Sequence, residues 1–281
     1  MKRYLTHPFI LSGALIIGGL LFVAFAAPWL APHDPTKQYD EGLSMMGDPV
    51  PPNETFRLGS DPIGRDLYSR LLYGTRISLA VGSLGMLLAV TMGTAVGLTA
   101  GYSGGWIGNL LMRATDVMLA FPALLLALAL VSVLQPSLWN VFIVIGLVNW
   151  TWVARTVRAS TLSIKEKEYV EAARALGAGP FRIVFRHILP NVLPTIIILA
   201  STMTAWMIML DAGLSFLGLG VPPPAPSWGR MIAEAQSYYR SFPGLVLWPG
   251  LCIAITVAGF NLLGYGLREV LDPRSHVEHA G

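Results

Sequence analysis

Long apolar runs without charge alternate with short polar segments along this chain. A helix needs about 20 such residues to cross a bilayer. Six runs qualify, at about 9–30, 77–100, 117–134, 138–154, 192–217 and 245–267. The uncharged stretch between Arg76 and Arg113 is too long for one helix, and glycines at positions 101, 104 and 105 are expected to end it. The pattern predicts an all-α polytopic membrane protein with six transmembrane helices.

Composition agrees with this fold class. Hydrophobic residues make up 54% of the chain and charged residues 12%, against about 25% charged in soluble domains. We expect one transmembrane domain over 1–281: a first span and exterior loop (1–76), a core (77–268) and a cytoplasmic tail (269–281). The net charge of +3 gives no sign of nucleic-acid binding. The single cysteine, Cys252, lies in an apolar run and excludes a disulfide framework.

The distribution of basic residues predicts the orientation. Twelve lysines and arginines fall on the side of both termini and seven on the other, so both termini are expected in the cytoplasm. A cleaved signal peptide is the alternative for the first run, because Lys2 and Arg3 precede it and Ala24-Phe25-Ala26 resembles a cleavage site. Its 22 or so residues exceed the about 7–15 of a signal peptide core, which favours an uncleaved span.

A charged segment, EAARALGAGPFRIVFRHILP, lies between the fourth and fifth runs. Strong helix formers predict a helix from Glu168 to Leu176, which Gly177 ends. Gly179-Pro180 then introduces a second helix, Phe181 to His187. A rigid helical pair on the surface of a membrane protein indicates contact with another protein.

This segment resembles the cytoplasmic EAA loop of permease subunits in binding-protein-dependent ABC importers. The matching positions are Glu171, Ala172, Ala173, Gly177, Leu189 and Pro190, whereas His187 stands where the family often has isoleucine. The resemblance implies the type I ABC importer permease fold and an EAA loop at about 158–190. It also implies that Glu171, Ala172, Ala173, Gly177 and Ala178 couple the chain to an ATPase subunit. An ordinary interhelical loop is the alternative.

Two further segments resemble the branch of these permeases that carries dipeptides, oligopeptides and nickel. One is LGSDPIGRDLYSRLLYGTRISL, from Leu58 to Leu79, with Ser60 where threonine is usual. The other is DAGLSFLGLGVPPPAPSWGRM, from Asp211 to Met231, with Asp211 where glutamate is frequent.

These segments and their neighbours supply candidate pathway and gate residues: Arg65, Asp66, Arg70, Met207 and Asp211. Asp66 and Arg70 can pair if helical, and a helix that merely anchors at the interface is the alternative. An ionisable group within a span, such as Asp211, is a functional candidate by default. Its alternative is a structural pair with an arginine at position 65, 70 or 230. For Met207, the two alternatives are a side chain that lines the pathway and one that serves only in packing. Arg113 is expected to pair with Asp116, three residues further along the helix.

The sequence contains no phosphate-binding G-x-x-x-x-G-K-[ST] loop, and its five histidines are scattered. We therefore expect no catalytic residue, no metal site and no bound cofactor, with ATP used by partner subunits. The resemblance implies as partners a second, usually different, permease, two ATP-binding subunits, an extracytoplasmic substrate-binding protein and membrane lipid.

Dipeptides or oligopeptides are the first choice of cargo, because the predicted spans contain no histidine that would suit nickel. Nickel or a nickel chelate is the second choice. An ATPase-independent secondary transporter would show inverted repeats and charges at the membrane midplane. An intramembrane enzyme would need clustered His, Asp or Glu within the spans.

Overall fold

A computed structural model describes residues 7–271, which fold into helices and loops without a β-strand. Lys2, Arg3 and residues 272–281 of the predicted tail lie outside the described residues. The helices are α1 (Pro8–Leu30), α2 (Leu67–Ser103), α3 (Gly105–Leu119), α4 (Ala123–Val133), α5 (Leu138–Lys165), α6 (Glu168–Ala175), α7 (Pro180–Ile183), α8 (Leu189–Phe216), α9 (Trp228–Glu234) and α10 (Gly244–Leu271).

Small residues hold α2 and α5 together along most of their length. A Cβ atom built on Gly93 would lie 2.5 Å from Val153 Cβ, and one on Gly97 would lie 2.8 Å from Val157 Cβ. The helices therefore approach backbone to backbone, as packing through small residues permits in membranes. Residue numbers rise together along the contact, so α2 and α5 run parallel.

The third predicted span, 117–134, is wrong as a single straight helix. The chain breaks after Leu119, and α3 and α4 meet at a bend of 84°. The cause is Pro122, whose ring disfavours helical backbone at the preceding residue. Because α2 and α5 are parallel, the α3–α4 pair must return the chain across the bundle. Counted as one span, it adds a bent sixth crossing to the five helices of residues 7–271 that are long and apolar enough to cross a membrane.

The remaining spans pack antiparallel to their neighbours. Gly82 of α2 faces Ile208 of α8, and the Ser201 hydroxyl of α8 donates to Phe260 O of α10. Outside these, α1 lies against α10, where Gly13 approaches the backbone of Leu263. The core therefore consists of α2, α5 and α8, with α1 at the periphery.

Candidate functional sites at the two ends of the bundle

The EAA loop lies where α2 and α5 end, since Lys165 Nζ donates to Tyr102 O. The predicted first helix is present as α6, and Gly177 ends it with φ +85°. Ala178 N–H donates to Ala173 O at 3.1 Å, and Gly177 N–H donates to Arg174 O at 3.0 Å. These two bonds form a Schellman motif, which fixes the direction in which the chain leaves α6.

The second half of the EAA loop differs from the prediction. Instead of one helix over 181–187, the single turn of α7 leads into a wider π turn, Val184–Ile188, where Leu189 N–H donates to Val184 O. The wider turn accommodates Pro190, which offers no N–H and whose ring would clash with a carbonyl four residues back. Helical backbone thus runs from Pro180 into α8 without a break.

One face of the EAA loop packs against the bundle, and the other face is exposed. Val170, Ile183 and Ile188 are buried against the bundle. By contrast, Leu176 is 89% exposed and Phe181 is 80% exposed. Large apolar side chains exposed at the surface mark a contact with another protein or with the membrane.

Four of the five predicted coupling residues lie at the exposed surface of the loop, and the fifth, Ala178, packs against the core. Glu171, Ala172 and Gly177 are exposed, and Ala173 and Ala178 are partly exposed. Leu176 and Phe181 were not among the predicted residues, although apolar residues on either side of Gly177 in a charged loop were the available signal.

A cluster of charges occupies the opposite end of the bundle. The charge cluster consists of Asp61, Arg65, Arg70, Arg230 and Glu234. Glu234 accepts from Arg65 Nη2 at 2.6 Å and from Arg70 Nη2 at 3.0 Å. Its other carboxylate oxygen lies 2.8 Å from Arg230 Nε. The cluster thereby joins the cap segment (residues 31–66), the start of α2 and α9.

Burial makes this arrangement hard to disturb. The Arg70 side chain is completely buried, and the side chains of Arg65 and Asp61 are each 5% exposed. Removing one partner of a buried ion pair leaves an uncompensated charge and typically costs about 3–5 kcal/mol. Of the predicted gate residues, Arg65 and Arg70 belong here, whereas Asp61 and Glu234 were missed.

Asp66 has a different role from the one predicted. In the described structure it does not pair with Arg70; its carboxylate accepts from Ser69 N–H at 2.9 Å and caps α2. This cap explains why α2 begins at Leu67, ten residues before the predicted span. The expected Arg113–Asp116 pair is also wrong, because Asp116 pairs with Arg155 of α5 at 2.6 Å.

Asp211 and Met207 both lie inside this chain. Asp211 is 1% exposed, and its Oδ1 atom has no hydrogen-bond partner among the described residues. The arginines proposed as its partners are engaged in the charge cluster. Met207 is fully buried and packs near Gly85 of α2.

Residues 7–271 contain no group of three or more His, Cys, Asp or Glu side chains placed to hold a metal ion. Two of the five scattered histidines, His276 and His279, lie outside the described residues.

Two family profiles match the sequence. Residues 93–277 match the binding-protein-dependent transport system inner membrane component. Residues 1–49 match the N-terminal transmembrane domain of oligopeptide transport permease C.

Curated relatives match nearly the whole chain. The glutathione transport system permease protein of Pectobacterium atrosepticum is 41% identical over 97% of this chain and 89% of its own. The dipeptide transport system permease protein of Alkalihalophilus pseudofirmus is 40% identical over 97% and 88%. The nickel transport system permease protein of Escherichia coli K12 is 38% identical over both full lengths.

A solved structure shares the fold. A chain of the MetNI methionine ABC transporter, in an inward-facing conformation, superposes with a TM-score of 0.62 at 17% identity. The match covers 72% of this chain and 96% of the other.

Proposed function

We infer that this chain, which belongs to the family of binding-protein-dependent transport system inner membrane components, serves as one permease subunit of an ATP-driven ABC importer. The observation that carries this function is the EAA loop. It offers a bare apolar surface, its direction is fixed at Gly177, and its second half continues into α8. Such a loop can receive a push from another protein and pass it to a transmembrane helix.

The partners follow from the two ends of the bundle. We place an ATP-binding subunit against the EAA loop, with a second ATP-binding subunit under a second, different permease. This assignment puts the EAA loop and both termini in the cytoplasm, in agreement with the excess of basic residues there. The charge cluster and the cap segment then face the outside, where a substrate-binding protein delivers cargo. In this proposal, ATP is bound and used by the partner subunits.

Transport in this proposal proceeds by alternating access. Closure of the ATP-binding subunits displaces the two EAA loops, and the second half of each loop carries its α8 helix because the backbone from Pro180 into α8 is helical. The displacement opens the pathway between the two permeases towards the outside. Cargo released by the binding protein enters, and reopening of the ATP-binding subunits returns the pathway to the inside.

Dipeptides or oligopeptides are the cargo we propose. Two of the three relatives described above carry the names of peptides, and the first 49 residues match the oligopeptide permease profile. Nickel, free or chelated, is the second candidate, because the nickel permease aligns along its full length.

Reconstitution tests both the function and the cargo. The permease pair, ATP-binding subunits and binding protein are placed in proteoliposomes, and ATP-dependent uptake of labelled dipeptides, longer peptides, nickel and chelated nickel is measured. We expect peptide uptake that requires ATP and the binding protein. Uptake of nickel without uptake of any peptide would replace peptides by nickel as the proposed cargo. Uptake without ATP-binding subunits would refute the importer in favour of a secondary transporter.

Asp211 is proposed as a gate residue on the outer half of α8. An unpaired buried oxygen costs free energy, about 1–3 kcal/mol for a polar group, and a second conformation of α8 would give it a partner. We expect Asp211→Asn to slow uptake several-fold while the melting temperature stays close to that of the unaltered complex. Melting is followed on the purified complex alongside the uptake assay. Loss of stability with normal uptake per folded complex would make Asp211 a packing residue only.

A further inference from the structure

A tight turn, Ser44–Asp48, projects from the cap segment. Ser44 N–H donates to Asp48 O, and Gly47 N–H donates to Ser44 O, each at 2.8 Å. The Ser44 hydroxyl accepts from the backbone N–H groups of Met46 and Asp48. Gly47 adopts φ +81°, which allows the chain to reverse at this point. Four hydrogen bonds thus hold the backbone of a five-residue turn.

The side chains at the tip of this turn are apolar and bare. Met45 is 108% exposed and Met46 is 92% exposed, the two highest values among the large apolar side chains of residues 7–271. Both side chains project away from the rest of the described chain. Methionine is flexible and polarisable, and it is frequent on surfaces that adapt to a partner. Two adjacent methionines held outward are therefore suited to enter an apolar hollow.

The turn stands on a rigid base. Just before it, Gly42 O accepts from the Ser60 hydroxyl, and just after it, Val50 N–H donates to the same hydroxyl at 2.8 Å. Ser60 is directly followed by Asp61 of the charge cluster, which is tied to α9 through Arg65 and Glu234. A force on the turn is therefore transmitted to the helices below it.

Charge indicates what kind of surface covers the turn. Exposed carboxylates outnumber exposed cations in the cap segment: Asp34, Asp40, Glu41, Asp48 and Glu54 against Lys37 and Arg57. The Thr36 hydroxyl bond to Asp34 lowers the pKa of that carboxyl below its usual value, so it stays charged. An acidic surface is repelled by anionic lipid headgroups and is complementary to a basic protein surface. A protein with an apolar hollow ringed by lysine and arginine fits both properties.

We propose that the turn Ser44–Asp48 docks on the extracytoplasmic substrate-binding protein, with Met45 and Met46 entering an apolar hollow that has a basic rim. This proposal rests on the proposed function, since that function supplies a binding protein on this side. It assigns the recognition of that partner to two side chains and to the acidic residues around them.

The first test measures how the binding protein stimulates ATP hydrolysis by the reconstituted complex. Met45→Ser combined with Met46→Ser is expected to raise the half-stimulating concentration of binding protein about 10-fold or more, as the loss of central interface contacts does. Basal ATP hydrolysis should stay unchanged, because neither side chain contacts the bundle. Ile63→Ser is the matched control: its side chain is also apolar and lies in the cap segment, but it is only 41% exposed. We expect the half-stimulating concentration of binding protein for Ile63→Ser to equal that of the unaltered complex.

The outcomes separate the two proposals. Equal half-stimulating concentrations in the double variant and the unaltered complex would overturn the docking proposal alone. If the unaltered complex is not stimulated at all, the importer function fails and the docking proposal fails with it.

Cross-linking identifies the partner directly. The sequence has one cysteine, so Cys252→Ser combined with Met45→Cys leaves a single thiol at the tip of the turn. With a thiol-to-amine cross-linker, we expect a product with the binding protein through a lysine of its rim. A product with the second permease only would refute the assignment.

Discussion

Replacing Gly177 with valine is expected to abolish ATP-driven uptake while the chain remains inserted and assembled. Gly177 has φ +85°, which costs residues with a Cβ atom about 1–2 kcal/mol and β-branched residues more. No atom lies within 4 Å of a Cβ built there, so the cost is strain in the backbone and not a clash. The strain opens the Schellman motif and redirects α6 relative to α8. Uptake, ATP hydrolysis and thermal melting of the purified complex measure the effect.

Gly179 provides the matched control for this substitution. It lies two residues further along the same loop, a Cβ there also meets no atom within 4 Å, and its φ is an ordinary −70°. The rate of ATP-driven uptake by Gly179→Ala should therefore be nearly normal. The rate for Gly177→Ala should lie between the normal rate and that of Gly177→Val. Normal uptake by Gly177→Val would show that the direction of α6 does not matter for coupling.

Gly93→Leu should prevent the chain from reaching its folded state. A Cβ at Gly93 would lie 2.5 Å from Val153 Cβ and 2.6 Å from Trp150 O. The carbonyl belongs to the backbone of α5 and cannot rotate away, so α2 and α5 must separate. Overpacking costs about 1–3 kcal/mol where side chains can adjust, and more is expected here. The yield of assembled complex and its melting temperature report the loss.

Gly18→Leu is the control for Gly93→Leu. Gly18 also lies within a span, in α1, but a Cβ at this position meets no atom of this chain within 4 Å. The same substitution should therefore leave the fold of this chain intact. Similar loss of complex in both variants would contradict the close packing of α2 against α5 as the cause.

The sequence predicted features that depend on neighbouring residues. The absence of charge located five of the six crossings. Gly177 and Pro180 indicated the break within the EAA loop, and the structure has Gly177 in a left-handed conformation. These signals are local, since a glycine or proline acts on its own backbone. The bend at Pro122 was also encoded locally, but the continuous apolar run around it concealed the break.

The partners of the charged residues could not be predicted in the same way. Asp66 and Asp116 each have an arginine within one helical turn, so local spacing suggested local pairs. The fold instead offered Asp66 the end of α2 and brought Asp116 to Arg155, 39 residues away. Arg70 meets Glu234 across 164 residues. Such pairings follow from the packing of α3 against α5 and of α2 against α9, which no periodicity in the sequence records.

The distance along the chain between Arg70 and Glu234 also has a consequence for how the protein is made. Arg65 of the cap segment and Arg70 of early α2 leave the ribosome long before Glu234 is synthesised. Glu234 supplies the carboxylate that both arginines share. The contacts of the cap segment with Glu234 therefore form only when α9 has been made, after all five crossings that precede it. A chain that stops before residue 234 lacks the carboxylate that Arg65 and Arg70 share, and of their carboxylate partners within residues 7–271 only Asp61 remains to balance the two cations.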